Sequence, residues 1–113
     1  MFIESIRGMP KLESLTFRKT DLSEQGAKHL GSFPKLKSLI LGYGEINHGS
    51  LPQVKNAVGL ELLSLDYSDV ADDDLEDIQG LTRLKELHLS GTRVTDDGVK
   101  KLQQALPNCE IKH

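Results

Sequence analysis

Tryptophan is missing from this chain, and aromatic residues make up only 4% of its 113 positions. A core must therefore be built from aliphatic side chains, and the many leucines are the obvious supply. Cysteine occurs once, at Cys109. An internal disulfide is excluded, and a reducing compartment is compatible with the chain. No stretch approaches the roughly 18 consecutive apolar residues that mark a membrane-crossing helix. The opening MFIESIRGMPKLE has no basic region followed by an apolar run, so it does not read as a signal peptide. Asn-x-Ser/Thr is absent as well. The expected setting is the cytoplasm, with no membrane partner.

Net charge is −3, but the charge is unevenly spread. Residues 1–55 hold eight lysines and arginines against five acids, and residues 56–113 hold six against twelve. A chain laid out in sequence order would have a basic end and an acidic end, which bears on association rather than on fold. The basic half lacks a dense Lys/Arg cluster interleaved with aromatics, so no nucleic-acid partner is expected.

What the chain does have is a repeat. In LKELHLSGTRVTDDGVKKL, apolar residues fall at Leu84, Leu87, Leu89, Val94, Val99 and Leu102. The same pattern returns in phase at Leu60, Leu63, Leu65, Val70, Leu75 and Ile78. It returns again at Leu36, Leu39, Leu41, Ile46, Leu51 and Val54, and at Leu12, Leu15, Phe17, Leu22, Ala27 and Leu30. A fixed period of this kind marks a stacked architecture. Apolar residues two apart, such as Leu87 and Leu89, have the period of a strand with one buried face. Residues three apart, such as Val99 and Leu102, have the period of one helical face. Each copy is therefore a strand, a turn and a helix. It cannot bury its apolar side alone, so copies must stack on a shared core.

The unit L-x-x-L-x-L-x-x-N/C-x-L of the leucine-rich repeat family is similar to all four copies. The run TRVTDDGV at 92–99 and the ending ALPNCEI at 105–111 resemble a bacterial subtype with T-x-V-T-D-x-G-L units. The usual Asn or Cys is replaced by Thr20, Gly44, Ser68 and Thr92. A ladder of hydroxyls bonding the neighbouring coil's backbone is expected in its place. The expected fold is a single right-handed α/β solenoid. A parallel sheet of four to five strands lines its concave face and helices its convex face. Its parts are a half-repeat at 1–11, repeats at 12–35, 36–59, 60–83 and 84–107, and a terminal strand at 108–113.

Along the chain, Ser23 reads as a helix N-cap and Gly31 as a helix end. Ser50 to Gln53 reads as a capping box, with Pro52 tolerated in the first turn. The acids Asp72, Asp73, Asp74, Glu76 and Asp77 sit where a helix begins and complement its dipole. They lack the Gly and bidentate Glu of a calcium loop. Cys109 is expected to be a buried structural thiol. His29, His48 and His113 read as surface residues without partners at metal-ligand spacing.

Outward strand positions form columns across the predicted sheet. One is Thr16, Ile40, Ser64 and His88; the next is Arg18, Gly42, Asp66 and Ser90; a third is Lys19, Tyr43, Tyr67 and Gly91. Ser64, Asp66, His88 and Ser90 suggest a hydrolase or metal site, but an open sheet face supplies no oxyanion donors and excludes no water. No catalysis, cofactor or metal is expected. Tyr43 and Tyr67, beside Ile40 and Leu62, form a small aromatic patch on a charged face, and large amphipathic aromatics are enriched at interface hot spots. The competing account has both rings lying back to cover the core. The expected function is non-catalytic binding of a protein partner on the concave face, centred on Tyr43 and Tyr67. Ile40, Leu62, Asp66 and His88 surround them. Arg18 and Lys19 would steer acidic partners at one end, and Glu86 would face basic ones at the other. The alternative is a structural segment that stacks on further coils or on a second copy through its N-terminal half-repeat.

Overall fold

The computed structural model describes residues 13–18, 35–42, 54–55 and 57–113; the side chains of 15–18 and of Gly42 are not among the features described. Five strands are present among the described residues: β1 (Ser14–Arg18), β2 (Ser38–Gly42), β3 (Leu62–Ser64), β4 (Glu86–His88) and β5 (Glu110–Lys112). They lie side by side in chain order, all parallel. Ser38 stands opposite Leu62 and Leu62 opposite Glu86, while Ile40 stands opposite Ser64 and Ser64 opposite His88. The column Thr16, Ile40, Ser64 and His88 read from the sequence is thus a column of the sheet.

The strands are held on one face by leucine. Leu39, Leu41, Leu63, Leu65, Leu87 and Leu89 are all buried, and Leu36, Leu60 and Leu84 fill the approach to each strand. The helical side closes the same core with Leu75, Ile78, Leu102 and Leu106. Successive coils are also joined before each strand begins. The Glu13 carbonyl accepts the N–H groups of Lys37 and Ser38, the Lys37 carbonyl those of Glu61 and Leu62, and the Glu61 carbonyl those of Lys85 and Glu86. The parallel sheet with helical crossovers packed on one side is an α/β solenoid.

Two coils show how local sequence shapes the helical side. In the last, α1 spans Asp96–Ala105. Its closing run KKLQQA is made of strong helix formers. In the coil before, the corresponding segment is a short 3-10 helix, Asp72–Asp77. Its Asp-rich sequence is a weaker helix former, and Gly80 follows it. A 3-10 turn also advances about 2.0 Å per residue rather than about 1.5 Å, so a few residues suffice to cross the coil. The helices expected after Ser23 and at Ser50 to Gln53, and the half-repeat at 1–11, lie outside the described residues.

The hydroxyl ladder between coils is not what forms. Ser68 Oγ donates to the Leu65 carbonyl at 2.6 Å and Thr92 Oγ1 to the Leu89 carbonyl at 2.7 Å, each within its own coil. The reason is reach: the next strand lies about 4.8 Å away, and a hydroxyl on a short side chain meets its own turn first. Thr20 and Gly44 lie outside the described residues. Cys109 is buried and free, just before β5, and burial pushes its thiol pKa up. Such a thiol is held in its neutral, unreactive form.

Candidate sheet-face binding site

The sheet face is organised around the exits of β3 and β4. Asp66 Oδ1 accepts the Ser90 N–H at 2.7 Å, and the Tyr67 N–H donates to the Ser90 carbonyl at 2.7 Å. These bonds fasten the two exits together. Tyr67 has φ 58°, a left-handed conformation that bulky residues rarely adopt. Its phase-mate Gly91 has φ 70°. A Cβ on Gly91 would fall on the Tyr67 ring, so the ring lies directly against the glycine. Tyr67 nevertheless remains 57% exposed.

Beside this corner, His88 stands between two carboxylates. Its Nε2 donates to Glu86 Oε2 at 3.0 Å, and its Nδ1 is 3.8 Å from Asp66 Oδ2. The hydrogen bond from His88, with the nearby Lys112 charge, lowers the Glu86 pKa. Ser64 is buried, and His88 Nε2 is given to Glu86. Among the described residues, no group of three or more His, Cys, Asp or Glu side chains is arranged to hold a metal ion.

The other expected binding residues fall as follows. Ile40 and Leu62 are half-buried on the outward face of β2 and β3. Glu86 occupies the column of Leu62, and His88 that of Ile40. Arg18 ends β1, and its side chain is outside the description. Tyr43 and Lys19 lie outside the described residues.

Two contacts were not read from the sequence. His113 is exposed, as expected, and it also has protein partners: its Nε2 donates to the Val94 carbonyl at 2.8 Å, and its Nδ1 is 3.4 Å from Asp96. The terminal residue is thereby tied to the start of α1. Asp72 spans two coils, with Oδ1 accepting the Thr95 N–H at 2.8 Å and Oδ2 the Thr95 hydroxyl at 2.6 Å. Thr95 is also the N-cap of α1, accepting the Gly98 N–H. The Thr95 hydroxyl and backbone bonds lower the Asp72 pKa, with a smaller contribution from His113. A depressed carboxyl contributes stability above its unfolded value, near 4, and loses it as pH falls through the folded value. The gap in thermal midpoint between wild type and Asp72→Asn is therefore expected to be widest at neutral pH and to shrink below about pH 4. Melting curves at a series of pH values check this, and a gap independent of pH would remove the Asp72 charge from the contact.

Repeating coils with a parallel sheet on a shared leucine core define the class: a repeat solenoid. Residues 81–102 match the family described as Leucine Rich repeat. The fold resembles the C-terminal domain of tropomodulin from Caenorhabditis elegans, with a TM-score of 0.70 at 9% identity over 99% of this chain and 82% of that one. It also resembles an internalin from Listeria monocytogenes, with a TM-score of 0.60 at 22% identity over 95% of this chain. This chain spans 36% of that internalin's length. No curated protein sequence matches the chain significantly. The architecture is that of a leucine-rich repeat solenoid. Solenoids of this kind typically use their extended sheet face for protein interaction. Among the described residues, no helix is long and apolar enough to cross a membrane.

Proposed function

We propose that this protein is a non-catalytic interaction module that binds a protein partner on its concave sheet face. The observation carrying this reading is Tyr67: a large aromatic, 57% exposed, held in a left-handed conformation and seated on Gly91. Strained backbone persists where its surroundings over-determine it, and such sites are often functional. A surface fixed in advance loses little conformational entropy when it binds. Ile40 and Leu62 supply apolar area on the same face, and Asp66, Glu86 and His88 supply polar contacts. Tyr43 belongs to the proposed patch through its place in the column of Tyr67.

The test is affinity capture from a lysate of the source cells with wild type and a Tyr43→Ala/Tyr67→Ala variant whose folding is verified. A protein retained by the wild type and lost by the variant supports the reading. Retention of the same species by both rejects the tyrosines as the binding centre. Retention of further copies of this chain alone favours stacking between copies.

A further inference from the structure

We propose that the rim where the strands begin carries a second binding site, which takes the carboxylates of an acidic segment of a protein partner. This rim lies at the opposite end of the strands from Tyr67, so the inference stands apart from the sheet-face reading. Lys35, Gly59 and Arg83 hold the same place in three successive coils, three residues before Ser38, Leu62 and Glu86, which are aligned in register. Parallel strands lie about 4.8 Å apart, so Lys35 and Arg83 stand roughly 10 Å from each other with Gly59 between them. Glycine puts no side chain into that gap. A notch of about 310 Å³ opens there, lined by Lys35, Lys37, Gly59, Arg83, Glu13 and Glu61.

The charges in the notch do not cancel. Glu61 is already taken by Lys85, at 3.2 Å. Among the described residues, none forms an ion pair with Lys35, Lys37 or Arg83. Of the lining acids only Glu13 is left to set against these three exposed cations. On a chain of net charge −3, that is a local reversal of sign. The Arg83 guanidinium can take a carboxylate through a fork of two N–H groups, and Lys35 can close on it as a point charge. The surroundings suit a protein segment rather than a nucleic acid. Val58, the chain neighbour of Gly59, is 67% exposed and offers apolar contact beside the cations. Grooves for single-stranded nucleic acid join their cations to stacking aromatics, and this notch has acids in place of aromatics.

The experiment titrates the full chain with two capped peptides in a glycine-serine background, one carrying Glu-Leu-Glu and the other Gln-Leu-Gln. Amide NMR follows the response at about physiological salt, where long-range attraction is largely screened. The glutamate peptide is expected to shift the amides of Lys37, Gly59 and Arg83 saturably, and to bind about tenfold more tightly than the glutamine peptide. Arg83→Gln should weaken it about threefold, and Lys35→Gln/Arg83→Gln about tenfold. Both positions are exposed, so the fold should tolerate these changes. Lys100→Gln removes the same charge from the exposed side of α1 and should leave the affinity unchanged. An equal loss with Lys100→Gln, or equal affinity for the two peptides, would overturn the proposal in favour of general charge attraction. An absence of saturable shifts overturns it as well. Tighter binding of a single-stranded DNA oligonucleotide to the same amides would reject the carboxylate in favour of phosphate. The same shifts on raising the protein concentration without peptide would reject a separate partner in favour of a second copy of this chain.

Discussion

Leu63→Ala is expected to destabilise the protein by about 2–5 kcal/mol. Leu63 is fully buried in β3, the middle strand of five. Its removal costs the transfer energy of the lost methyl and methylene groups plus the cavity they leave. Position makes this site worse than an end coil. In a stack where each coil touches only its neighbours, a central coil carries two interfaces, and damage there weakens both. For a domain of this size the loss corresponds to a fall of roughly 10 °C or more in the thermal midpoint. Val58→Ala is the control, because Val58 is 67% exposed and its change should stay within about 0.5 kcal/mol. Urea unfolding of the two variants would measure both. Similar losses in the two would mean that the leucine phase does not define the core.

That leucine phase was the part most legible in the sequence, for a physical reason. Burial of one strand face is a local property with a period of two, so Leu39 and Leu41, Leu63 and Leu65, Leu87 and Leu89 declare themselves within each copy. Register was legible for the same reason, since copies without insertions can align side by side in only one phase. Contacts between coils were less legible. Asp72 and Thr95 each look like ordinary residues at a helix start, and nothing in either segment says that they bond across 23 positions. Ser68 and Thr92 carry the right groups for a ladder, but reach decides which carbonyl they meet. The left-handed backbone of Tyr67 had one readable signal. Gly91 stands in the same column, and a glycine there points to a position where positive φ is needed. His113 gave no signal at all, because its partners depend on how the last strand packs beside α1.

Gly98→Ala tests the contact that the sequence concealed, and here two rules oppose each other. On helix propensity, alanine in place of glycine within α1 should stabilise by up to about 1 kcal/mol. The structure predicts the reverse. A Cβ at Gly98 would fall on the Asp72 carboxylate, which is held in place by the Thr95 N–H and hydroxyl. Asp72 has a short side chain and cannot swing aside while keeping those bonds. The Gly98 N–H also donates to the Thr95 hydroxyl that donates onward to Asp72, so displacement disturbs the helix cap as well. Overpacking of this kind costs about 1–3 kcal/mol, enough to overturn the propensity gain. A double-mutant cycle separates the two effects. With Asp72→Ala already in place, the obstructing carboxylate is gone, and Gly98→Ala should become neutral or stabilising. A loss of the same size in both backgrounds would show that Gly98 is required for another reason, and that Asp72 does not set the space between these coils.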